Sequence, residues 1–529
     1  MPNGYFSFLL HAHLPFVRHP EDEHFIEELW FYEALAETYL PCLDRLYRLA
    51  EMGCRFPITI SLSPTLLAMM TDSLLKQRFL RYLDQRIILA EKELVRNSSS
   101  PSLRDLARFY LDYYTRIRIG YDDRFHQDLI EPFRQLHSEG KIELWTTSAT
   151  HCYLPLFQHQ PNLINAQIRI GIESFRHCFG FDPDGFWLPE CGYFTDLDQI
   201  LHSFGVSCTV LETHSLLFGN PRPLSGVYLP VCSPANLTVF ARDLVVAQQI
   251  WSGETGYPGD ADYRDFYSDI GYDLSLTQLE PAVHPAGFRT STGIKYHRIT
   301  NKRTASKQLY HPESALLKVR QHSWDFMAKI RHQIEKLSGM IGTPPLITAP
   351  FDAELYGHWW FEGVDFLFEL AQLVAAHQPG FEFMTFNSYR EKFPPIQHCN
   401  PSPSSWGKNG YSEMWLNNTN DWIYPPLHQA GQIMQQRAAI YADQPLDSDH
   451  RDCLNQMGRE LLLAQSSDWP FIIKTQTTVE YATSRIHDHL TSFFKLADQL
   501  RHDSIDVSFL KARIHQYSIF PNLDFHSFI

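Results

Sequence analysis

Short apolar runs that stop at a histidine, a carboxylate or an arginine recur along this chain, and they limit its fold more than any other feature. Seven segments, 5–10, 56–60, 142–146, 185–188, 207–211, 237–241 and 346–350, have the length and apolar content of strands buried on both faces of a parallel sheet. Helical periodicity lies between them, as at 22–51, where Phe25, Trp30, Leu35, Tyr39 and Leu46 mark the apolar positions. Strands alternating with helices predict βα units. Six of the runs are followed by polar groups: His11 and His13, Thr150 and His151, Glu190, Glu212 and His214, Arg242 and Asp243, Asp352 and Glu354. In a closed parallel barrel every strand end of this kind opens on one face, where active sites are built. One such residue is an ordinary helix cap; six sets predict a shared pocket.

Residues 77–141 interrupt the rhythm. They are charged and helix-forming, with a hinge at 97–102, and predict a helical insertion carried on the barrel. Beyond about residue 366 no further strands are expected. Segments 426–444, 448–466 and 477–501 have amphipathic spacing, with Leu454, Met457, Leu461 and Ala464 on one stripe. The expected organisation is a catalytic barrel over 1–76 and 142–365, an insertion over 77–141, and a loop-rich, then α-helical C-terminal domain over 366–529.

Composition narrows the function classes. Sixty acidic against 45 basic side chains give a net charge of −15, which attracts neither nucleic acid nor an anionic membrane. No apolar run reaches the roughly 18 residues of a membrane span, and the N-terminus lacks the basic start of a secretory signal. Nine cysteines without a CxxC pair predict reduced thiols. A cytoplasmic monomer is expected. Aromatics reach 14%, which serves either an aromatic-rich core or stacking on sugar rings.

Two segments carry acid–base chemistry. GFWLPECGY (185–193) puts Glu190 after an apolar run and a proline, between aromatics where burial would tune its pKa. APFDAELYGHWW (349–360) places Asp352 in the same way, ahead of Trp359 and Trp360. Two carboxylates across an aromatic cleft are what glycosidic chemistry requires. Capping or salt-bridging carboxylates would give the same spacing. His11, His13 and His151 or His214 could instead hold a metal, as a metal-dependent deacetylase would require.

HAHLPFV (11–17), ATHCYLPL (149–156), GFWLPECGY, IWSGETGYPGDADYRDFY (250–267), FDAELYGHWWFEG (351–363) and SSWGKNGYSEMWLNN (404–418) together resemble glycoside hydrolase family 57, and within it the 1,4-α-glucan branching enzymes. The resemblance implies a distorted, TIM-like (β/α)7 barrel with a helical insertion and an α-helical C-terminal domain. It implies that Glu190 is the nucleophile and Asp352 the acid/base of a retaining double displacement on an α-1,4-glucan, with α-glucan hydrolysis or 4-α-glucanotransfer as the alternative. His11, His13 and His151 would line the donor sugar subsite, with no metal or cofactor. Arg264, Gly293, Trp406 and Asp468 would bind substrate, Trp359 and Trp360 would flank the acid/base, and Trp406 and Trp415 would be glucan platforms. Branching members are expected to close the cleft with a loop ending in a tyrosine. The loop in the matching position, 231–237, has none; the nearest is Tyr228.

Overall fold

The computed structural model describes residues 2–252, 255–301, 304 and 306–529. Among the described residues there are eight strands: β1 (Gly4–Ala12), β2 (Ile58–Leu62), β3 (Ile142–Trp145), β4 (Cys208–Leu211), β5 (Val231–Cys232), β6 (Thr238–Ala241), β7 (Leu346–Asp352) and β8 (Phe381–Phe383). One sheet runs β3-β2-β1-β7, all parallel, with β8 also on β1; the other runs β4-β6-β5. All nine residues of β1 are buried, as expected of a strand covered on both faces. Residues 185–188 bridge the two sheets as an extended segment: Trp187 N donates to Thr146 O (2.8 Å) and Phe186 N to Cys208 O (3.1 Å). On the other side Asp243 N donates to Thr348 O (2.9 Å). The seven expected segments therefore close a (β/α)7 barrel.

β8 is a difference from expectation. Phe381–Phe383 pairs in parallel with Gly4–Phe6, so the sheet runs past residue 366, where strands were expected to stop. Three residues are too short to show a period of their own.

Side-chain parity separates two cores. Tyr5 and Leu9 of β1 join Trp145, Trp187, Val210, Phe240 and Leu346 in a compact cluster inside the barrel, while Phe6, Phe8 and Leu10 pack outward with the helices. Helices Ser73–Arg96 and Pro101–Ile119 meet at the expected hinge. Five helices follow the barrel: Tyr424–Tyr441, Ser448–Ala464, Asp468–Thr475, Val479–Arg501 and Val507–Gln516. The second and fourth are held by the buried Glu460, which pairs with His489 (2.7 Å) and with Arg513 (2.9 Å) of the last helix. No described helix is long and apolar enough to cross a membrane.

Candidate active site

The parity that buries Tyr5 and Leu9 inside the barrel puts His11 on the inner side at the top of β1. His11 is in register with Asp352 on β7 and with Ser61 on β2. Continuing inward parity two residues past Val210 and Phe240 reaches Glu212 and Arg242, which pair at 3.3 Å. The strand ends thus deliver His11, Glu212, Arg242 and Asp352 to one mouth, as the alternating sequence predicts.

Glu190 arrives differently. After Leu188 the chain turns through Pro189 and places Glu190 at φ 62°, ψ 22°, followed by Cys191 at φ 52°. Left-handed backbone at non-glycine residues costs about 1–3 kcal/mol each and persists only where the surroundings enforce it. Here Trp406 N donates to Glu190 O (2.8 Å) and Cys191 N to Leu188 O (2.9 Å). The turn aims the carboxyl at two donors: Trp406 Nε1 reaches Oε2 (2.6 Å) and Ser467 Oγ reaches Oε1 (2.9 Å).

Burial pushes the Glu190 carboxyl up to about 7, against the pull of its bond from Trp406, and the charge of Asp352 adds to the rise. Burial likewise pushes Asp352 up to about 7; Glu354 adds to this, while His13 and Arg242 oppose it. Among the described residues no hydrogen-bond donor reaches the Asp352 carboxyl. Glu354, also pushed up to about 7 by burial, accepts from the Tyr39 hydroxyl and from His13 N (3.2 Å). Tyr39 closes a π-helical turn, Leu35–Tyr39, a local widening common at functional sites. The two catalytic candidates are therefore unequal. Glu190 has two donors that favour its charged form, whereas Asp352 has a carboxylate neighbour that favours its protonated form.

His11 and His151 are buried, and burial holds both rings well below their usual pKa. They meet Nε2 to Nε2 at 2.9 Å, and His11 stacks on Trp187 with centroids 5.0 Å apart. Since their second nitrogens are engaged by Ser61 and Ser467, the pair does not converge on a common metal position. Among the described residues no group of three or more His, Cys, Asp or Glu side chains does so. His13 contacts Asp468 Oδ2 (3.0 Å), and its Nδ1 has no partner. Burial opposes charge on Asp468, but His13, His151 and the Ser466 hydroxyl outweigh it and hold the carboxyl below its ordinary range. Asp468 and Ser467 come from the C-terminal helices, docked here by Ser467 N to His151 O (3.1 Å).

Other sequence candidates lie elsewhere. Trp415 is 1% exposed and stacks on Tyr153 (4.8 Å, 18°), and Trp360 is 1% exposed against Phe366 (5.0 Å). Neither offers a face to a sugar, so the platform reading of Trp415 and the cleft reading of Trp360 are corrected to core packing. Trp359 is 46% exposed. Arg264 is buried in an ion pair with Glu37 (2.8 Å) and lies 3.8 Å above the Phe361 ring. Gly293 has φ 75°, and a Cβ there would come within 1.9 Å of the Tyr114 hydroxyl. Both tie the 257–300 excursion to neighbouring helices, and neither bonds to Glu190 or Asp352. Segment 231–237 is the hairpin between β5 and β6, with Ser233 N donating to Leu237 O (2.9 Å). It precedes β6 and so lies at the N-terminal ends of the parallel strands, opposite Glu190 and Asp352. It cannot cover the cleft, whatever its residues.

Ser467 and Trp187 were not singled out from the sequence, and Tyr39 was read there only as an apolar helix position. Ser467 could have been found by its place beside Asp468.

The model for glycosyl hydrolase family 57 matches residues 7–399. The chain belongs to glycosyl hydrolase family 57. A second model, for the C-terminal part of 1,4-α-glucan branching enzymes, matches residues 426–528. Within the family, the chain is 31% identical over 529 residues to a 1,4-α-glucan branching enzyme of Thermococcus kodakarensis, covering 94% of this chain and 74% of that one. Two solved structures superpose over all of it. The α-amylase AmyC of Thermotoga maritima is 38% identical, with a TM-score of 0.94 and 99% of its chain covered. The branching enzyme of Pyrococcus horikoshii is 29% identical, with a TM-score of 0.88 and 97% covered.

Proposed function

We propose that this family 57 enzyme is a cytoplasmic 1,4-α-glucan branching enzyme acting on amylose or a glycogen-like polymer. The unequal pair carries the mechanism: Glu190 has two hydrogen-bond donors, and Asp352 has a carboxylate beside it and none. Glu190 attacks the anomeric carbon as Asp352 protonates the departing glycosidic oxygen, leaving a glycosyl ester on Glu190. Asp352, now ionised, takes the proton of an acceptor 6-hydroxyl, which displaces Glu190 and forms an α-1,6 branch. His13, whose Nε2 contacts Asp468 and whose Nδ1 has no protein partner, serves in this reading as a ligand to a sugar hydroxyl. Transfer over hydrolysis is supported by the match of the C-terminal helices to those of branching enzymes. Nine unpaired cysteines suit a reducing compartment.

A second reading, α-glucan hydrolysis with the same two carboxyls, is favoured by the 38% identity to AmyC. Incubation with linear amylose separates the two. Rising α-1,6 anomeric proton signals with few new reducing ends support branching. New reducing ends without branches support hydrolysis and refute the first reading.

A further inference from the structure

We propose that Ser467 is a positioning residue for Glu190, the last member of a one-directional hydrogen-bond chain, Ser61–His11–His151–Ser467–Glu190, by which the C-terminal helices complete the catalytic centre. The inference rests on the reading of Glu190 as the nucleophile. Its links are Ser61 Oγ to His11 Nδ1 (3.2 Å), His11 Nε2 to His151 Nε2 (2.9 Å), His151 Nδ1 to Ser467 Oγ (2.7 Å) and Ser467 Oγ to Glu190 Oε1 (2.9 Å).

Proton counting fixes its direction. An ionised carboxylate only accepts, so the one hydroxyl proton of Ser467 goes to Glu190. His151 must then donate from Nδ1 to Ser467 Oγ. Both imidazoles are buried and neutral, so each carries one N–H. His151 Nε2 is therefore an acceptor, His11 donates from Nε2, and His11 Nδ1 accepts from Ser61. Each group has one donor role, and every role points toward Glu190. Protonating the carboxylate removes the reason for this order, so the chain favours the ionised nucleophile and holds Oε1 in place while Trp406 holds Oε2. His11 and His151 thus act through the nucleophile. This gives a physical reason for two buried histidines that spend both ring nitrogens on protein partners.

Asp352 from the end of β7 and Asp468 from the C-terminal helices act on the Glu190 charge, and His151 Nδ1 lies 3.7 Å from its Oε1. Beyond them, Glu354, His13 and Arg242 act on Asp352, and Glu212 and Arg242 on Cys191. Ser467→Ala leaves all of them in place. The acid limb of its kcat/KM–pH profile should rise by about one pH unit, a tenfold change in proton affinity. KM for amylose should stay within about threefold of the parent. Ser467→Thr, which keeps the hydroxyl, should restore the limb, and Ser61→Ala should move it the same way by less. An unmoved limb in Ser467→Ala, or a limb that Thr does not restore, overturns the chain. Glu190→Gln is run alongside. If it keeps activity within tenfold of the parent, the nucleophile reading fails; if it is inactive while the Ser467→Ala limb is unmoved, only the chain fails.

Discussion

Glu190→Gln should abolish turnover and also make the protein harder to unfold above neutral pH. The Glu190 carboxyl is raised from 4.5 in the unfolded chain to about 7 in the fold. A raised acid is fully compatible with folding below its unfolded pKa, and its contribution is lost as pH rises through the folded pKa. Above 7 the fold therefore carries the cost of a buried charge: about 2.5 units at about 1.36 kcal/mol each, or about 3 kcal/mol. Glutamine removes that cost. It also leaves Trp406 Nε1 and the Ser467 hydroxyl facing one amide oxygen in place of the two carboxyl oxygens, which costs about 1–2 kcal/mol whether or not the parent group is ionised. The net gain at pH 8.5 is about 1–2 kcal/mol; at pH 5, half a unit above the unfolded pKa, about 0.8 kcal/mol of the ionisation cost is already present, so the variant loses only about 0.5 kcal/mol. With an unfolding entropy of about 2.1 cal/mol/K per residue over 529 residues, 1 kcal/mol moves Tm by about 1 °C. Calorimetry at the two pH values should show the variant-minus-parent Tm difference rising by about 2 °C from pH 5 to pH 8.5. An equal difference at both pH values would refute the raised carboxyl and the reasoning from burial.

Other expectations follow from the same geometry. The kcat/KM–pH profile should be a bell with its limbs crowded around neutrality, because burial raises both Glu190 and Asp352 to about 7; a flat profile from pH 5 to 9 would contradict the paired carboxyls. Trp415→Ala should lower stability by about 3–5 kcal/mol in denaturant titrations while leaving amylose affinity within about threefold, since the ring is buried against Tyr153. Loss of affinity with unchanged stability would reinstate it as a platform. Prolonged EDTA treatment should leave turnover unchanged, because His11 and His151 bond to each other and to serines; loss of turnover restored by a divalent cation would overturn that account of the histidines.

Much of the barrel was legible because strands buried on both faces read as short continuous apolar runs between segments of helical period. Strand ends could therefore be placed, and with them Asp352 and His11. Glu190 was found through its motif, but its left-handed backbone has no sequence signal, since proline and cysteine on either side are compatible with several turns. β8 escaped because FEF is shorter than any periodicity test. The tryptophans show the limit most clearly. Trp406 and Trp415 sit nine residues apart in the same loop-rich stretch, yet one bonds Glu190 and the other stacks on Tyr153. Local sequence sets ring chemistry, while burial is set by what the C-terminal helices bring alongside. Ser467 escaped for the same reason, because its role exists only once residues 466–468 dock on His151.

The central claim is that Glu190 forms a glycosyl ester. The direct measurement is to incubate the enzyme with a 5-fluoro-α-glucosyl fluoride, whose intermediate forms faster than it is released, and to map the labelled peptide by mass spectrometry. The account predicts one fluoroglucosyl group on the peptide spanning 185–193, attached at Glu190 and absent in Glu190→Gln. A label on Asp352 or Glu354, or inactivation with no covalent label, would contradict it.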